Sequence, residues 1–287
     1  MKISGFTIIK NAVINDYPIV EAITSILPVV DEIIVLAGDS DDNTVELIES
    51  INSTKIKIHH SVWNTSLRSG GKALADETNK AFKLIEPSSD WAFYIQADEV
   101  VHEKYLDAVV EGCKKYKDSP KVQGLLFKYA HFYGTYDYLG DSRRWYNQEV
   151  RVIRNDKRIT AYKDAQGFRI GTKKLWVKPI DAYVYHYGWV KNPEQMKRKQ
   201  KHVSRYWNPN ADELTSEDVF DFNDFDSITK FEGTHPKVMM ERIAHQNWQL
   251  DLDVNQKKFS FKDRFLYRFE KTTGIRLFGF TNYRILP

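Results

Sequence analysis

The sequence predicts an α/β protein in which a mostly parallel β-sheet is flanked by helices and followed by a mainly helical C-terminal extension. Three observations support this prediction. Strand and helix patterns alternate through the first hundred residues, acidic clusters follow two of the apolar strands, and strands with long aromatic loops take over after residue 120. With 287 residues, of which 42% are hydrophobic, the chain is long enough for one large core.

The first half of the chain contains four apolar strand patterns separated by helix patterns. Residues 3–9 form an apolar, β-branched run that predicts the first strand, and Asp16 and Pro18 predict the start of the following helix. Further strand patterns lie at residues 32–37, 55–60 and 91–97, and Gly70 and Gly71 precede another helix. This alternation predicts right-handed βαβ units, and ligands of such sheets bind beyond the carboxyl ends of the strands.

The second half of the chain carries a different pattern. Strand patterns lie at residues 122–129, 149–154 and 183–187, and Asn192 with Pro193 predicts a basic helix that runs to about residue 206. We therefore predict one domain over residues 1–190, divided into halves at 1–105 and 106–190. The extension over residues 191–287 is expected to pack on or beside this domain.

Composition excludes several classes of protein. The 42 Lys and Arg residues nearly balance the 39 Asp and Glu residues, so no nucleic-acid partner is expected. The single Cys113 excludes an internal disulfide and a cysteine-built zinc site. The first apolar stretch is too short for a signal peptide, and no run approaches the roughly 18 apolar residues that span a bilayer. We therefore expect a cytoplasmic protein.

Acidic residues at strand ends indicate a metal site. Asp98 directly follows an apolar strand, where a carboxylate can hold Mg²⁺ or Mn²⁺, or can simply cap the next helix. His186 ends the later strand pattern YVYHYGWV, where it could be a further metal ligand or a packed core residue. The stretch GGKA at residues 70–73 lacks the earlier glycine and the magnesium-binding hydroxyl of a phosphate loop. Nucleotide binding would therefore rest on carboxylates, a metal and backbone amides.

Four segments over residues 1–105 resemble family 2 glycosyltransferases, which have the GT-A fold. In order, they are FTIIKN, IIVLAGDSDDNT, GGKALADETNKAF and WAFYIQADEV, the last of which corresponds to the DxD metal motif. A fifth segment, HYGWVKNPEQM, resembles a bacterial subgroup in which a histidine can complete the metal shell. The resemblance implies that residues 1–105 bind nucleotide and metal, and that residues 106–190 face the acceptor.

The resemblance also implies a set of site residues. The metal, Mn²⁺ or Mg²⁺, is expected on Asp98 and His186. The expected nucleotide-sugar-binding residues are Asn11, Asp39, Asp42, Lys72, Gln96 and Asp98. The chain departs from the family at two places, because Ala37 replaces the first carboxylate of the nucleoside-binding turn and Gln96 replaces the first acid of the DxD motif.

The reaction implied by the resemblance is an inverting displacement at the anomeric carbon, which needs a general base near the acceptor hydroxyl. Asp164 is the preferred base and Glu149 the second choice, although Asp164 could equally be a turn residue. The expected acceptor is a carbohydrate or a glycolipid, as in polysaccharide assembly.

Alternatives to this enzyme remain open at the level of the sequence. Ala37 and Gln96 also suit a non-catalytic nucleotide-binding or sugar-binding protein with the same fold, and a nucleotidyltransferase would use a similar sheet and metal. The C-terminal stretch KKFSFKDRFLYRFEK mixes basic and aromatic residues. It could contact the inner face of a membrane, pack on its own domain, or pack on a second subunit of a homo-oligomer.

Overall fold

The computed structural model describes residues 1–64, 66–67, 69–207 and 220–287. Within these ranges it confirms an α/β architecture, with one sheet system flanked by helices. The strands are β1 (Ile3–Ile9), β2 (Glu32–Ala37), β3 (Ile56–His60), β4 (Trp91–Tyr94), β5 (Glu99–Val101), β6 (Gly124–Gly134), β7 (Tyr138–Gly140), β8 (Gln148–Arg154), β9 (Ile159–Tyr162), β10 (Gly167–Ile170), β11 (Lys173–Val190), β12 (Ile228–Lys230) and β13 (Tyr283–Ile285). The α-helices are α1 (Ile19–Ile26), α2 (Thr44–Glu49), α3 (Lys72–Leu84), α4 (Leu106–Tyr116), α5 (Pro193–Ser204), α6 (Met240–Ala244) and α7 (Phe261–Thr273).

The sheet is parallel in its first half and mixed in its second. Its main path runs β3-β2-β1-β4-β8-β6-β11-β10-β9, and the first four of these strands are parallel. Strand β8 then lies antiparallel to both β4 and β6, so the sheet is less parallel than the sequence predicts. Strand β11 returns parallel to β6, and the chain between them runs through the strands β7 to β10.

The core lies on both faces of the sheet. Strand β1 is buried along its whole length, which is expected of a central parallel strand covered by helices on both sides. Its side chains alternate between two clusters: Ile3 and Ile9 pack with Ile23 of α1, whereas Phe6 packs with Phe82 of α3. The alternation follows from the two-residue period of a strand.

Strand pairing over long sequence distances brings the candidate metal ligands together. The short strand β5, which follows the turn containing Asp98, pairs antiparallel with β11. In this register Glu99 lies opposite His186. The backbone amide of Tyr187 also donates to the carbonyl oxygen of Asp98 over 2.8 Å. The sheet therefore fixes Asp98 beside His186, although 88 residues separate them.

The segment after residue 190 is less helical than the sequence predicts. Its described part contains α5, α6 and α7, but long stretches between them are irregular, and β12 and β13 add to the sheet by pairing with β7 and β11. Aromatic side chains of this segment, including Phe222 and Phe225, pack on Tyr133 of β6. Contacts between apolar side chains therefore attach this segment to the rest of the protein, although its sequence lacks the periodicity of a helix. In the described ranges, no helix is long and apolar enough to cross a membrane.

Candidate functional site

A cavity of about 470 Å³ opens at the carboxyl ends of β1 and β4. Its lining includes five of the residues that the sequence predicts for the site, namely Asn11, Gln96, Asp98, Asp164 and His186. The other four, Asp39, Asp42, Lys72 and Glu149, are not part of this lining. The cavity therefore gathers candidate ligands from four separate parts of the chain.

The Asp98 carboxylate is buried against two cationic or polar side chains. Its Oδ2 lies 3.2 Å from Nζ of Lys199 and 3.6 Å from Nε2 of His186. The Lys199 ammonium also donates to the carbonyl oxygen of Gly188 over 2.8 Å. Burial by itself raises the pKa of the Asp98 carboxyl, but Lys199 and His186 together outweigh burial and hold that pKa well below its usual range. Asp98 is therefore a carboxylate anion at neutral pH.

A fully buried ion pair supports the turn that carries Asp98. Arg151 donates to both carboxylate oxygens of Glu99, over 2.8 Å from Nε and 2.7 Å from Nη2, and neither side chain is exposed. Glu99 also accepts from the hydroxyl of Tyr129 and the backbone amide of Gln96. Removing either charge would leave the other unpaired in the core. Glu99 and Arg151 are thus structural, and they hold Gln96 and Asp98 in place.

A chain of hydrogen bonds fixes the tautomer of His186. Nε2 of His131 lies 2.8 Å from the carbonyl oxygen of Tyr146, which can only accept, so this nitrogen carries a proton. Burial lowers the pKa of His131 well below its usual value, so the ring is neutral and its Nδ1 is bare. Nδ1 of His131 lies 3.2 Å from Nδ1 of His186, which must therefore donate. The remaining nitrogen of a neutral His186, Nε2, then presents a lone pair beside Asp98.

The donors present fit a divalent cation that is shared with a ligand. A carboxylate oxygen and an imidazole lone pair 3.6 Å apart can both reach one cation, and both suit Mn²⁺. In the described ranges, no cluster of three or more His, Cys, Asp or Glu residues could hold a metal ion. The protein would therefore supply two ligands, and the phosphates of a donor together with water would supply the rest.

Asp164 also lines the cavity and lies in a conformationally unusual turn. Its neighbours Lys163 and Ala165 have φ values of 56° and 62°, in the left-handed region that side chains other than glycine rarely adopt. A Cβ on Gly71, which itself has φ of 69°, would overlap the Cβ of Asp164, so glycine is required there. Ala165 is fully buried and anchors the turn in the core. Strain of this kind is characteristic of functional sites.

Glu149 lies behind the cavity, under the turn of Asp164. Its Oε1 accepts from Nε2 of Gln166 over 2.8 Å and from Nδ2 of Asn282 over 3.3 Å, and its Oε2 has no partner in the part of the chain that the structure describes. Burial raises its pKa to about 7. Gln166 lines the cavity, whereas Glu149 does not, so Glu149 contacts the site through Gln166.

The other predicted nucleotide-binding residues have mainly structural contacts. Asp39 pairs with Lys10 at 2.8 Å, and this ammonium together with the backbone amide of Trp63 overcomes the effect of burial and lowers the Asp39 pKa. Asp42 accepts from the backbone amides of Ile14 and Thr44, which joins two loops. Asn11 exchanges two hydrogen bonds with Asp41.

Lys72 begins α3 and is exposed outside the cavity. The N-terminal end of this helix already has an intramolecular hydrogen-bond acceptor, because the amide of Gly71 donates to the carbonyl oxygen of Tyr206 over 3.0 Å. Asn11 thus lines the cavity, whereas Asp39, Asp42 and Lys72 are not part of its lining, although Asp39 contacts the lining residues Lys10 and Trp63.

Sequence reasoning did not single out three residues of the cavity. Lys199 was grouped with its basic neighbours on α5, but the spacing of Met196, Lys199 and Val203 places it on the side of the helix that lines the cavity. Trp63 is buried, its indole nitrogen has no hydrogen-bond partner among the described residues, and its ring packs against Tyr206 with centroids 5.3 Å apart. No motif signals Trp63 or Tyr206.

Comparisons with known proteins give weak likenesses only. No protein-family model and no curated protein sequence matches the chain. It is similar to S. aureus TarS 1-349 in complex with UDP-GlcNAc, at 21% identity over 47% of this chain and 36% of that chain, with a TM-score of 0.37. For another S. aureus TarS structure the identity is 14%, over 71% of this chain and 39% of that chain, with a TM-score of 0.40.

A third similar structure is glucosyl-3-phosphoglycerate synthase from Mycobacterium tuberculosis in complex with Mn²⁺, UDP and phosphoglyceric acid. The identity is 20%, over 45% of this chain and 43% of that chain, with a TM-score of 0.32. Likenesses with TM-scores this low carry no weight for function, which therefore rests on the residues of the cavity.

Proposed function

We propose that the protein is an inverting glycosyltransferase that moves a sugar, of hexose type, from a nucleoside-diphosphate donor to a hydroxyl of a carbohydrate or glycolipid acceptor. One observation carries this proposal: Asp98, His186 and Lys199 converge on one side of a cavity that also contains Asp164. The first group suits a departing diphosphate, and Asp164 suits an attacking hydroxyl. The resemblance of residues 1–105 to family 2 glycosyltransferases supports the same reaction.

The diphosphate would lie against Asp98, His186 and Lys199. The Lys199 ammonium is held by Gly188 and can turn from Asp98 to a phosphate oxygen, because a lysine presents three donors on a flexible stem. Asp98 and His186 would hold a divalent cation, Mn²⁺ or Mg²⁺, which when bound neutralises charge on the leaving diphosphate. The positive dipole end of α3 is already covered by Tyr206, so Lys199 replaces it as a source of positive charge.

The nucleoside would occupy the part of the cavity lined by Asn11, Trp63 and Tyr206. The unpaired indole N–H of Trp63 is a donor that a base or ribose oxygen can satisfy, since a buried donor without a partner costs about 1–3 kcal/mol. Gln96 also lines the cavity and offers an amide in place of a carboxylate. An amide cannot bind a cation as strongly as a carboxylate, but it can still hydrogen-bond to ribose.

Asp164 would act as the general base. Its carboxylate takes the proton of the acceptor hydroxyl while that oxygen bonds to the anomeric carbon. The bond from the anomeric carbon to the diphosphate oxygen breaks on the opposite face, and its electron pair leaves with the diphosphate. Glu149, outside the cavity, would keep Gln166 and the turn of Asp164 in position.

The first experiment is a screen of UDP-sugars and GDP-sugars for thermal stabilisation, with and without Mn²⁺. We expect one donor class to raise the melting temperature, and more so with Mn²⁺, because a ligand at about a hundred times its Kd stabilises the native state by ~2.7 kcal/mol. The same donors are then incubated with candidate acceptors, and release of the nucleoside diphosphate is measured. Binding without release or transfer would contradict the proposal and favour a non-catalytic binding protein.

A matched pair of variants locates the diphosphate. Lys199→Met removes the ammonium at the cavity, whereas Lys201→Met removes an exposed ammonium from the same helix. We expect the first variant alone to lose stabilisation by the nucleotide sugar. Equal responses of the two variants would show that the diphosphate binds elsewhere.

A further inference from the structure

The most exposed aromatic side chains of the described residues are concentrated near the C-terminus. Every exposed Phe lies within residues 261–280: Phe261, Phe265, Phe278 and Phe280. Phe261 is 93% exposed and Phe278 is 88% exposed, and Ile275 between them is exposed as well. Scattered exposed apolar residues are normal, but four phenyl rings within twenty residues require an explanation.

Helix α7 presents two of these rings away from the protein. Leu266 is buried, the hydroxyl of Tyr267 donates to Asp141 over 2.6 Å, and Glu270 pairs with Arg143, so these three residues define the inner side. Phe261 and Phe265 are four residues apart and therefore lie one above the other on the outer side. The helix is thus docked through one side and leaves an aromatic stripe on the other.

Positive charge surrounds these rings. Residues 257–284 contain eight Lys or Arg and only two acidic residues, Asp263 and Glu270. Glu270 is already paired with Arg143 and lies near Arg276. Lys271 lies near Asp141 on the inner side, with Nζ 3.7 Å from Oδ2, and the other exposed cations of α7 are Lys262, Arg264 and Arg268.

The second pair of rings lies beside the loop of the candidate base. Lys163 and Lys174 lie over the ring of Phe280, with Nζ 5.8 Å and 5.5 Å from its centroid. Lys163 directly precedes Asp164, which lines the cavity. On the side of α7, the contacts to Asp141 and Arg143 anchor the loop that leads to Trp145, another residue of the cavity lining. Both pairs of rings are therefore attached to walls of the site.

We propose that the Phe surface, defined as the outer side of α7 together with residues 275–280, docks on an anionic lipid bilayer. Exposed aromatic rings among cations are the chemistry of an interfacial segment, because the rings enter the boundary between headgroups and chains while the cations pair with anionic headgroups. A second copy of the chain would bring the same excess of positive charge to the interface and is therefore the poorer occupant. Docking in this way would present the cavity to an acceptor hydroxyl at the bilayer surface, a consequence that rests on the proposed function.

The test is flotation of the full chain with phosphatidylcholine vesicles that contain or lack phosphatidylglycerol. We expect the protein to float only with the anionic vesicles, and high salt should release it.

Phe278→Ser combined with Phe280→Ser should weaken flotation by about tenfold or more, since two rings no longer enter the interface. Lys262→Glu combined with Arg264→Glu should weaken it by at least about 25-fold with every ring intact, at roughly fivefold for each of the two cations lost.

The matched control combines Met240→Ser with Leu84→Ser, which removes two exposed apolar side chains far from α7 in sequence. This variant should float like the unaltered protein. Absence of flotation, equal binding to neutral vesicles, or equal loss in the control would overturn the proposal. If light scattering shows a dimer, and the Phe variants dissociate it, then the Phe surface binds a second copy of the chain instead. None of these measurements requires a nucleotide sugar, so failure here is distinguishable from failure of the proposed function.

Discussion

The two walls of the cavity are built in opposite ways. The wall of Asp98 and His186 stands on paired strands and on the buried Glu99–Arg151 ion pair. The wall of Asp164 is a turn with left-handed residues on both sides of the aspartate. The difference indicates that strand pairing keeps the wall of Asp98 rigid, whereas the geometry of one turn and the buried Ala165 hold the wall of Asp164. Rigid elements position a site more precisely than loops do.

The largest effect is expected at the rigid wall. Asp98→Ala removes the carboxylate that pairs with Lys199 and faces His186, so we expect kcat to fall by more than about 10³-fold. Stabilisation of the protein by nucleotide plus Mn²⁺ should disappear as well. Release of nucleoside diphosphate measures the first effect, and thermal unfolding with and without Mn²⁺ measures the second. Activity near that of the unaltered protein would remove Asp98 from the mechanism.

A smaller and different effect is expected at the wall formed by the turn of Asp164. Asp164→Asn keeps the size and hydrogen bonding of the side chain but cannot take a proton, so we expect turnover to fall by about 10²-fold or more. Donor binding, measured by calorimetry, should be unchanged. Glu149→Gln is the matched control, because Glu149 lies outside the cavity. If this control loses turnover and Asp164→Asn does not, the base is Glu149.

The hydrogen-bonded histidines give a third, smaller effect. His131→Phe removes the acceptor for Nδ1 of His186 and frees its tautomer, so we expect the affinity for Mn²⁺ in the presence of nucleoside diphosphate to fall by about 10- to 100-fold. His131→Asn should retain most of the affinity, because its amide oxygen can accept the same proton. Binding of Mn²⁺, followed by electron paramagnetic resonance, separates this positioning role from a loss of folding. Equal loss in both variants would contradict the role.

The smallest effect concerns stability and its dependence on pH. Burial raises the pKa of Glu149 from 4.5 to about 7, so the folded protein binds this proton more tightly than the unfolded chain does. The resulting stability is fully present below pH 4.5 and is lost as the pH rises through about 7. As the pH rises across this range, the free energy of unfolding of the unaltered protein should fall by about 3 kcal/mol relative to that of Glu149→Gln. Denaturant unfolding at several pH values measures this difference, and a constant difference would contradict the raised pKa.

The fold was predictable in its first half and less so in its second. Strands β1 and β2 have the predicted limits, because continuous apolar runs between turn residues leave little ambiguity. The predicted strand over 183–187 is instead the last part of β11, which begins at Lys173 and contains charged residues and Pro179. Local patterns fail there because β11 is stabilised by pairing with four other strands.

The residues of the candidate site were likewise only partly predictable from the sequence. Asp98 was apparent from its place after an apolar strand, and Asn192 was apparent as the cap of α5, with its side chain accepting from the amide of Glu194. Trp63 and His131 were not apparent, since a buried Trp or His in a loop or strand is usually part of the core. Their roles depend on which atoms remain unpaired after folding, and a single sequence does not contain that information.

The sequence by itself determined the α/β class, the strands of the first half and the acidic turn that ends in Asp98. These features depend on periodicity and turn chemistry over a few neighbouring residues. Only the tertiary structure decided that Asp98 meets Lys199 and His186, that Asp164 shares their cavity, and that Glu149 does not. Such contacts join residues separated by about a hundred positions, and they arise from sheet register and helix docking, which no local pattern specifies.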